Sequence, residues 1–190
     1  MDSWSGVADT DLLARLRAGD EEALSPLMAR HERRLYGIAY GYLRNADDAL
    51  EVVQDSFVKL YQLCAKIDAR AEPGAWLTRV AINGAIDRYR QRKRRGVHET
   101  TVESEEWPEL AVQRDSSAID HLHTEDSRRA IERALPYLNE RQRAVVTLRH
   151  FSELSLDEIA STLGVRIGTV KSSLNRALAR LKTVMGEARA

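Results

Sequence analysis

The chain has 190 residues, is 43% hydrophobic and 31% charged, and balances 29 basic against 29 acidic groups. It contains no run of about 18 apolar residues to span a membrane, and its start, MDSWSGVADTDLLARLRAGD, lacks the basic and apolar blocks of a secretory signal. The single cysteine, Cys64, excludes an internal disulfide, so a cytoplasmic protein is expected.

Scarce Gly and Pro, with abundant Ala, Leu, Arg and Glu, predict an all-α fold. The first helix is predicted from Thr10 to Gly19, with Leu12, Leu13 and Leu16 inward. Asp20 is positioned to cap the second, residues 21–43, whose apolar positions Leu24, Leu27, Met28, Leu35, Ile38, Ala39 and Tyr42 recur every three or four residues. Pro26 is tolerated near that start, and Asn45 marks the break. The third helix, residues 46–67, places Leu50, Val53, Phe57, Leu60, Cys64 and Ile67 on one stripe, with Cys64 as a small core residue. DARAEPG then reads as a loop. The fourth helix, AWLTRVAINGAIDRYRQRKRR, is apolar as far as Ile86 and Tyr89 and almost all charge beyond.

Residues 76–95 carry seven basic groups and one acidic, and residues 127–190 carry twelve and six. Between them residues 96–126 carry one basic group and nine acidic, with no sustained period, which reads as a linker. Two basic blocks parted by an acidic one fit two surfaces for a polyanion, or simply solvated helix faces. A second helical domain occupies 127–186: SRRAIERAL, then NERQRAVVTLRHFSE capped by Asn139, then a helix pair.

That pair is SLDEIASTLGVRIGTVKSSLNRALARL. Ser155 and Glu158 have capping-box spacing, and Gly164 suits a left-handed helix end. Leu156, Ile159, Ala160 and Leu163 face inward, and Val165 and Ile167 hold the turn. The second helix runs from about Gly168 with Val170, Leu174, Ala177, Leu178 and Leu181 inward. Thr169, Lys171, Ser172, Asn175, Arg176 and Arg180 lie outward. Short side chains at the N-terminal end permit close approach to a major groove. Lys171 and Arg176 can reach phosphates or guanine, and Asn175 can pair with adenine. A plain helical hairpin with a solvated face has the same spacing.

The stretch LDEIASTLGVRIGTVKSSLNRALARL, above all its GTVKS core, resembles the DNA-binding end of bacterial extracytoplasmic-function sigma factors. DDALEVVQDSFVKLY, Asp47–Tyr61, resembles their polymerase-binding helix. WLTRVAINGAIDRYRQRKRR, Trp76–Arg95, resembles the helix that meets the −10 promoter element, with its Asn-x-x-x-Asp pair at Asn83 and Asp87. Order, spacing and length agree over nearly the whole chain. The resemblance implies a subunit that carries core RNA polymerase to promoter DNA. It implies no catalytic residue, cofactor, metal, small-molecule substrate or membrane insertion, and an anti-sigma factor as a further partner. It assigns 1–95 to polymerase binding and the −10 element, 96–126 to a linker, and 127–190 to the −35 element.

On this reading Asp48, Glu51, Val52, Asp55 and Lys59 form a docking face off the core stripe, with Gln54 at its rim and Val52 its apolar member. Arg79, Asn83, Arg90 and Arg94 form the −10 stripe. Asp87 contacts DNA or holds Asn83 or Arg90 in place, and Arg88, Arg92, Lys93 and Arg95 attract phosphate. Trp76 is core or a stacking platform. Asp68–Glu72 corresponds to the loop that holds an extruded −10 base. At the −35 end the implied contacts are Arg166, Thr169, Lys171, Ser172, Asn175 and Arg176. Ser173 stands where the family commonly has arginine, and Arg166 where many members have Ser or Pro. Exchanging Ser173 for arginine is therefore expected to raise −35 affinity and lower discrimination. Glu103, Glu105, Glu106 and Glu109, with Trp107, either occupy a nucleic-acid path in polymerase or form a solvated tether. His98, His121, His123 and Cys64 are too scattered for a metal site. The rivals are a DNA-binding regulator that works without polymerase and a helical adaptor that binds only protein.

Overall fold

The computed structural model describes residues 4, 6–68, 70–96, 131 and 135–187, with side chains to residue 183. All regular structure among these residues is helical. The chain divides into two compact units, Met1–Arg88 and Tyr89–Ala190.

The first unit opens with α1, Asp9–Arg17. Asp9 and Asp11 occupy its first turn and Arg15 and Arg17 its last, each sign matching the helix dipole. Leu12, Leu13 and Leu16 are buried, as their spacing predicts. Asp20 does not cap the next helix. Its side chain makes no capping bond and lies 3.8 Å from Arg15. A 3₁₀ turn, Glu21–Ala23, intervenes before α2, Leu24–Leu43. Leu27, Leu35, Ile38, Ala39 and Tyr42 of α2 are buried, whereas Met28 is exposed. Arg44 ends α2 in the left-handed conformation, φ 54°. Asn45 then caps α3, Ala46–Leu63, accepting the Asp48 N–H at 2.9 Å. Two residues thus reverse the chain and lay α3 on α2.

The buried face of α3 differs from the predicted stripe. Ala49, Val52, Val53, Ser56, Phe57 and Leu60 are buried, while Leu50 is 51% exposed. Spacings of three and four generate both stripes, which share Val53, Phe57 and Leu60. The packing against α4 decides between them. A Cβ built on Gly84 of α4, Pro73–Arg94, would sit 3.5 Å from Val52 Cγ1. Val52 is therefore core, and its burial withdraws it from the outward face expected above. Cys64 is half-buried and begins a 3₁₀ turn, Cys64–Lys66, rather than a further turn of α3. Leu77, Ala81, Ile82 and Ala85 give α4 its inner face, and Trp76 is half-buried beside them.

In the second unit, Leu135–Tyr137 forms a 3₁₀ turn. Asn139 and Gln142 form a reciprocal capping box that starts α5, Glu140–Phe151. Short α6, Leu156–Leu163, and long α7, Ile167–Glu187, follow. Both α5 and α6 pack on α7. Ala144, Val145, Val146 and Leu148 meet Val170, Leu174, Ala177, Leu178 and Leu181 in one buried layer. Each large apolar side chain so buried contributes roughly 1.5–3 kcal/mol. Of the helix predicted over 127–135, Ile131 is helical and buried; 127–130 and 132–134 lie outside the described residues. So do linker residues 97–126, with Glu103, Glu105, Glu106, Trp107, Glu109 and the three histidines at 98, 121 and 123.

Candidate nucleic-acid interface

The helix pair is built as its residues predict. Ser155 Oγ accepts the Glu158 N–H at 3.2 Å, and Glu158 accepts the Ser155 N–H at 2.8 Å, so α6 starts at a fixed point. Gly164 ends it at φ 66°, and the Val165 N–H closes back to the Ala160 carbonyl at 3.0 Å. This left-handed end turns the chain directly into α7.

Arg166, just before α7, and Lys171 on it are exposed, and Thr169, Ser172, Asn175 and Arg176 are half-buried. The Ser172 hydroxyl donates to the Thr169 carbonyl at 3.0 Å, which leaves its oxygen as an acceptor. A Cβ at Gly168 would meet nothing within 4 Å, so the fold itself does not require glycine there. Ser173 is fully buried, and its Oγ has no hydrogen-bond partner. It points into the core and not toward DNA. That burial argues against the expectation that arginine at 173 raises −35 affinity.

On α4, Arg79, Asn83, Asp87, Arg90 and Arg94 are exposed along one side, and Arg92 is half-buried. Within the second unit, Arg90 Nε donates to Glu140 at 2.8 Å. Arg88 departs from its expected role. Its Nε donates to Asp48 at 2.7 Å, and its Nη2 to Glu51. Burial alone would lower the Arg88 pKa, but these two carboxylates outweigh it and hold the pKa above its ordinary value. Arg88 therefore ties α4 to α3 and offsets one of the two negative charges that Asp48 and Glu51 bring.

The remaining face of α3 is a surface of another kind. Glu51, Gln54, Asp55 and Lys59 are exposed there, as expected. Sequence reading missed Leu50, Val58 and Tyr61, which are 51%, 51% and 43% exposed. With Gln54 they follow each other at spacings of four, four and three, one continuous stripe on a helix. The signal was present in that spacing. Tyr61 donates to Glu21 at 2.5 Å, and this bond pushes the phenol above its usual pKa. Among the described residues no cluster of three His, Cys, Asp or Glu side chains could hold a metal. No described helix is long and apolar enough to cross a membrane.

Two family models match the chain in order: Sigma-70 region 2 over residues 27–95 and Sigma-70, region 4 over residues 128–181. The chain is 32% identical over 179 residues to the ECF RNA polymerase sigma factor SigM of Mycobacterium tuberculosis, covering 94% of this chain and 85% of that one. This chain belongs to the ECF RNA polymerase sigma factors. The ECF sigma factor SigW of Bacillus subtilis is 26% identical, over 86% of this chain and 89% of its own. The fold is shared with CnrH, solved with the cytosolic domain of CnrY, at TM-score 0.69 and 24% identity over 94% and 97% of the two chains. It is shared also with the sigma factor RpoE of Bartonella quintana, at TM-score 0.61 and 23% identity over 85% and 96%. A sigma factor directs core RNA polymerase to promoter DNA and is not itself a catalyst. A regulator that worked without polymerase would account for the second match and leave region 2 unexplained.

Proposed function

We propose that residues 1–95 of this sigma factor dock on core polymerase and open the −10 element, and that residues 127–190 read the −35 element, with 96–126 as the connection. The observation that carries this is the start of α7, where exposed Arg166 stands just before the helix and Lys171, Asn175 and Arg176 follow Gly168, which leaves the helix start open. Thr169 and Ser172 supply short polar groups beside them. Side chains of this kind at the start of a helix read base edges in the major groove. Arg79, Asn83, Arg90 and Arg94 contact −10 DNA, Asp87 orients that stripe, and Arg92 attracts phosphate. The Asp68–Glu72 loop receives the extruded base.

Polymerase docks on α3 through Leu50, Gln54, Val58 and Tyr61, framed by Glu51, Asp55 and Lys59. An apolar stripe edged by acids suits a partner with an apolar seam and basic flanks. Asp48 supports that face through Arg88. The RpoE structure was solved with the anti-sigma factor NepR, and an inhibitor of that kind is the expected further partner here, in the cytoplasm.

The test is titration of the purified chain against bacterial core polymerase, followed by run-off transcription from a genomic promoter library. Saturable binding with new start sites, sharing two spaced sequence elements, is the expected result. A folded, inhibitor-free chain that gave start sites sharing only one element would overturn the division of labour between the two units.

A further inference from the structure

The connection between α3 and α4 is held by a helix distant in sequence. Arg17, the last residue of α1, donates Nε to the Cys64 carbonyl at 2.8 Å and Nη2 to the carbonyls of Ile67 and Asp68, the latter at 2.9 Å. These carbonyls lie where a helical run ends; those of Cys64 and Asp68 also accept backbone N–H groups, from Ile67 at 3.4 Å and Ala71 at 3.0 Å. One rigid, planar fork serves all three, which a lysine ammonium cannot reproduce with the same geometry. The acceptors are neutral, so the positive charge stays at this spot, the sign an approaching phosphate needs.

The restraint passes into the loop that follows. Asp68 Oδ1 accepts the Arg70 N–H at 2.8 Å, and the Asp68 carbonyl accepts the Ala71 N–H at 3.0 Å. Arg17 therefore grips the residue onto which the loop is wound. The far end is fixed as well. Pro73 and Gly74 are buried, and a Cβ on Gly74 would lie 2.8 Å from His31 Cε1. His31 is in turn held by Asp9 of α1, 2.6 Å away. Both ends of the loop thus trace back to α1.

We infer that Arg17 is a positioning residue for base reading: through Asp68 it fixes Arg70 and Ala71 in the place from which they help hold the extruded −10 base. This rests on the reading of that loop given under Proposed function. A pocket for a flipped base works only if its backbone is already in place, because small displacements at a binding site cost large factors in rate.

The experiment uses full-length wild type, Arg17→Lys and Arg17→Gln, each bound to core polymerase, on promoters with all four bases at every −10 and −35 position. Opening is followed by 2-aminopurine fluorescence. Discrimination should fall about tenfold at one −10 position in both variants, with core affinity and −35 preference unchanged. Combined with Asp68→Ala, which removes the acceptor of the Arg70 N–H, the losses should not add, since both changes act through one loop. Discrimination kept within twofold, or lost equally at all positions, overturns the inference. A wild type that shows no preference at any −10 position overturns the loop reading itself, and the inference with it. If Arg17→Gln fails to fold, Arg17→Lys retains the charge and reach. Amide exchange at Arg70 and Ala71 in that variant should quicken about tenfold with the helices still protected, and unchanged exchange overturns the inference.

Discussion

Arg88 on α4 donates to Asp48 on α3 across 2.7 Å, with the two side chains only 27% and 18% exposed. A cation that sequence alone assigns to DNA is therefore bound inside its own unit. Arg88→Gln should lower the unfolding free energy by about 1.5–3 kcal/mol, the range for hydrogen bonds to charged groups. The salt dependence of promoter binding should stay as it was. Arg94→Gln should do the reverse, leaving stability intact and reducing the salt slope by about one unit. Denaturant melts and binding at several salt concentrations separate the two.

Leu50 and Val52 sit two residues apart, one exposed and the other in the core. Val52 is 3% exposed, and Val52→Ala should cost about 2 kcal/mol of stability. Leu50→Ala should cost little stability and weaken core polymerase binding by about 1 kcal/mol or more. An equal melt for both variants, or polymerase affinity unchanged in Leu50→Ala, would sink this assignment.

Ser173 makes a sharper case, because its burial argues against the earlier expectation. The site is fully buried, so Ser173→Arg should destabilise the second unit by about 3 kcal/mol or more. Ser173→Ala should be neutral or stabilising, since the Oγ has no partner to lose. Thermal unfolding of the two variants decides the matter before any DNA is added.

Gly168 lies in the first turn of α7 with open space where a Cβ would go. Gly168→Ala should stabilise the fold by about 0.5–1 kcal/mol, the helix advantage of alanine. It should also weaken −35 binding, because the added methyl faces the DNA side. Tighter DNA binding by the more stable variant would contradict the proposed groove contact.

Asp9 supplies the pH dependence. Burial favours its neutral form, but hydrogen bonds from Arg30 and His31, both at 2.6 Å, win and hold its pKa below the ordinary 3.8. A carboxyl with a depressed folded pKa contributes stability fully present above its unfolded value. That contribution is lost as pH falls through the lower folded value. Asp9→Asn should therefore be less stable than wild type at pH 7, and the gap should narrow below pH 3.8. A gap that stays constant through acid would mean the pair contributes shape and not charge.

The helix pair was legible because each of its determinants is local. A capping box, a left-handed glycine and a helical period all act within a few residues of chain. The core face of α3 was harder. Ala49 and Ser56 carry little hydrophobic weight, yet both are buried. Ser56 manages this by donating its hydroxyl to the Val52 carbonyl, 2.7 Å away, a bond no hydrophobic count registers. Leu50 carries full weight and is outside. The cationic partnerships could not be read at all. Arg17 reaches acceptors 47 to 51 residues on, and Arg88 reaches back 40. No local spacing separates such an arginine from one waiting for phosphate.

The stripe of Leu50, Val58 and Tyr61 also shapes how the free protein behaves in concentrated solution. Apolar side chains that wait for a partner attract copies of themselves as readily as anything else. Asp47 and Asp55 stand exposed on the same helix, so two copies meeting stripe to stripe would bring like charges together. A basic partner meets no such opposition. On the docking proposed above, these carboxylates should disfavour pairing of two copies while admitting a basic partner. Acid or high salt should then favour self-association while loosening the proposed complex.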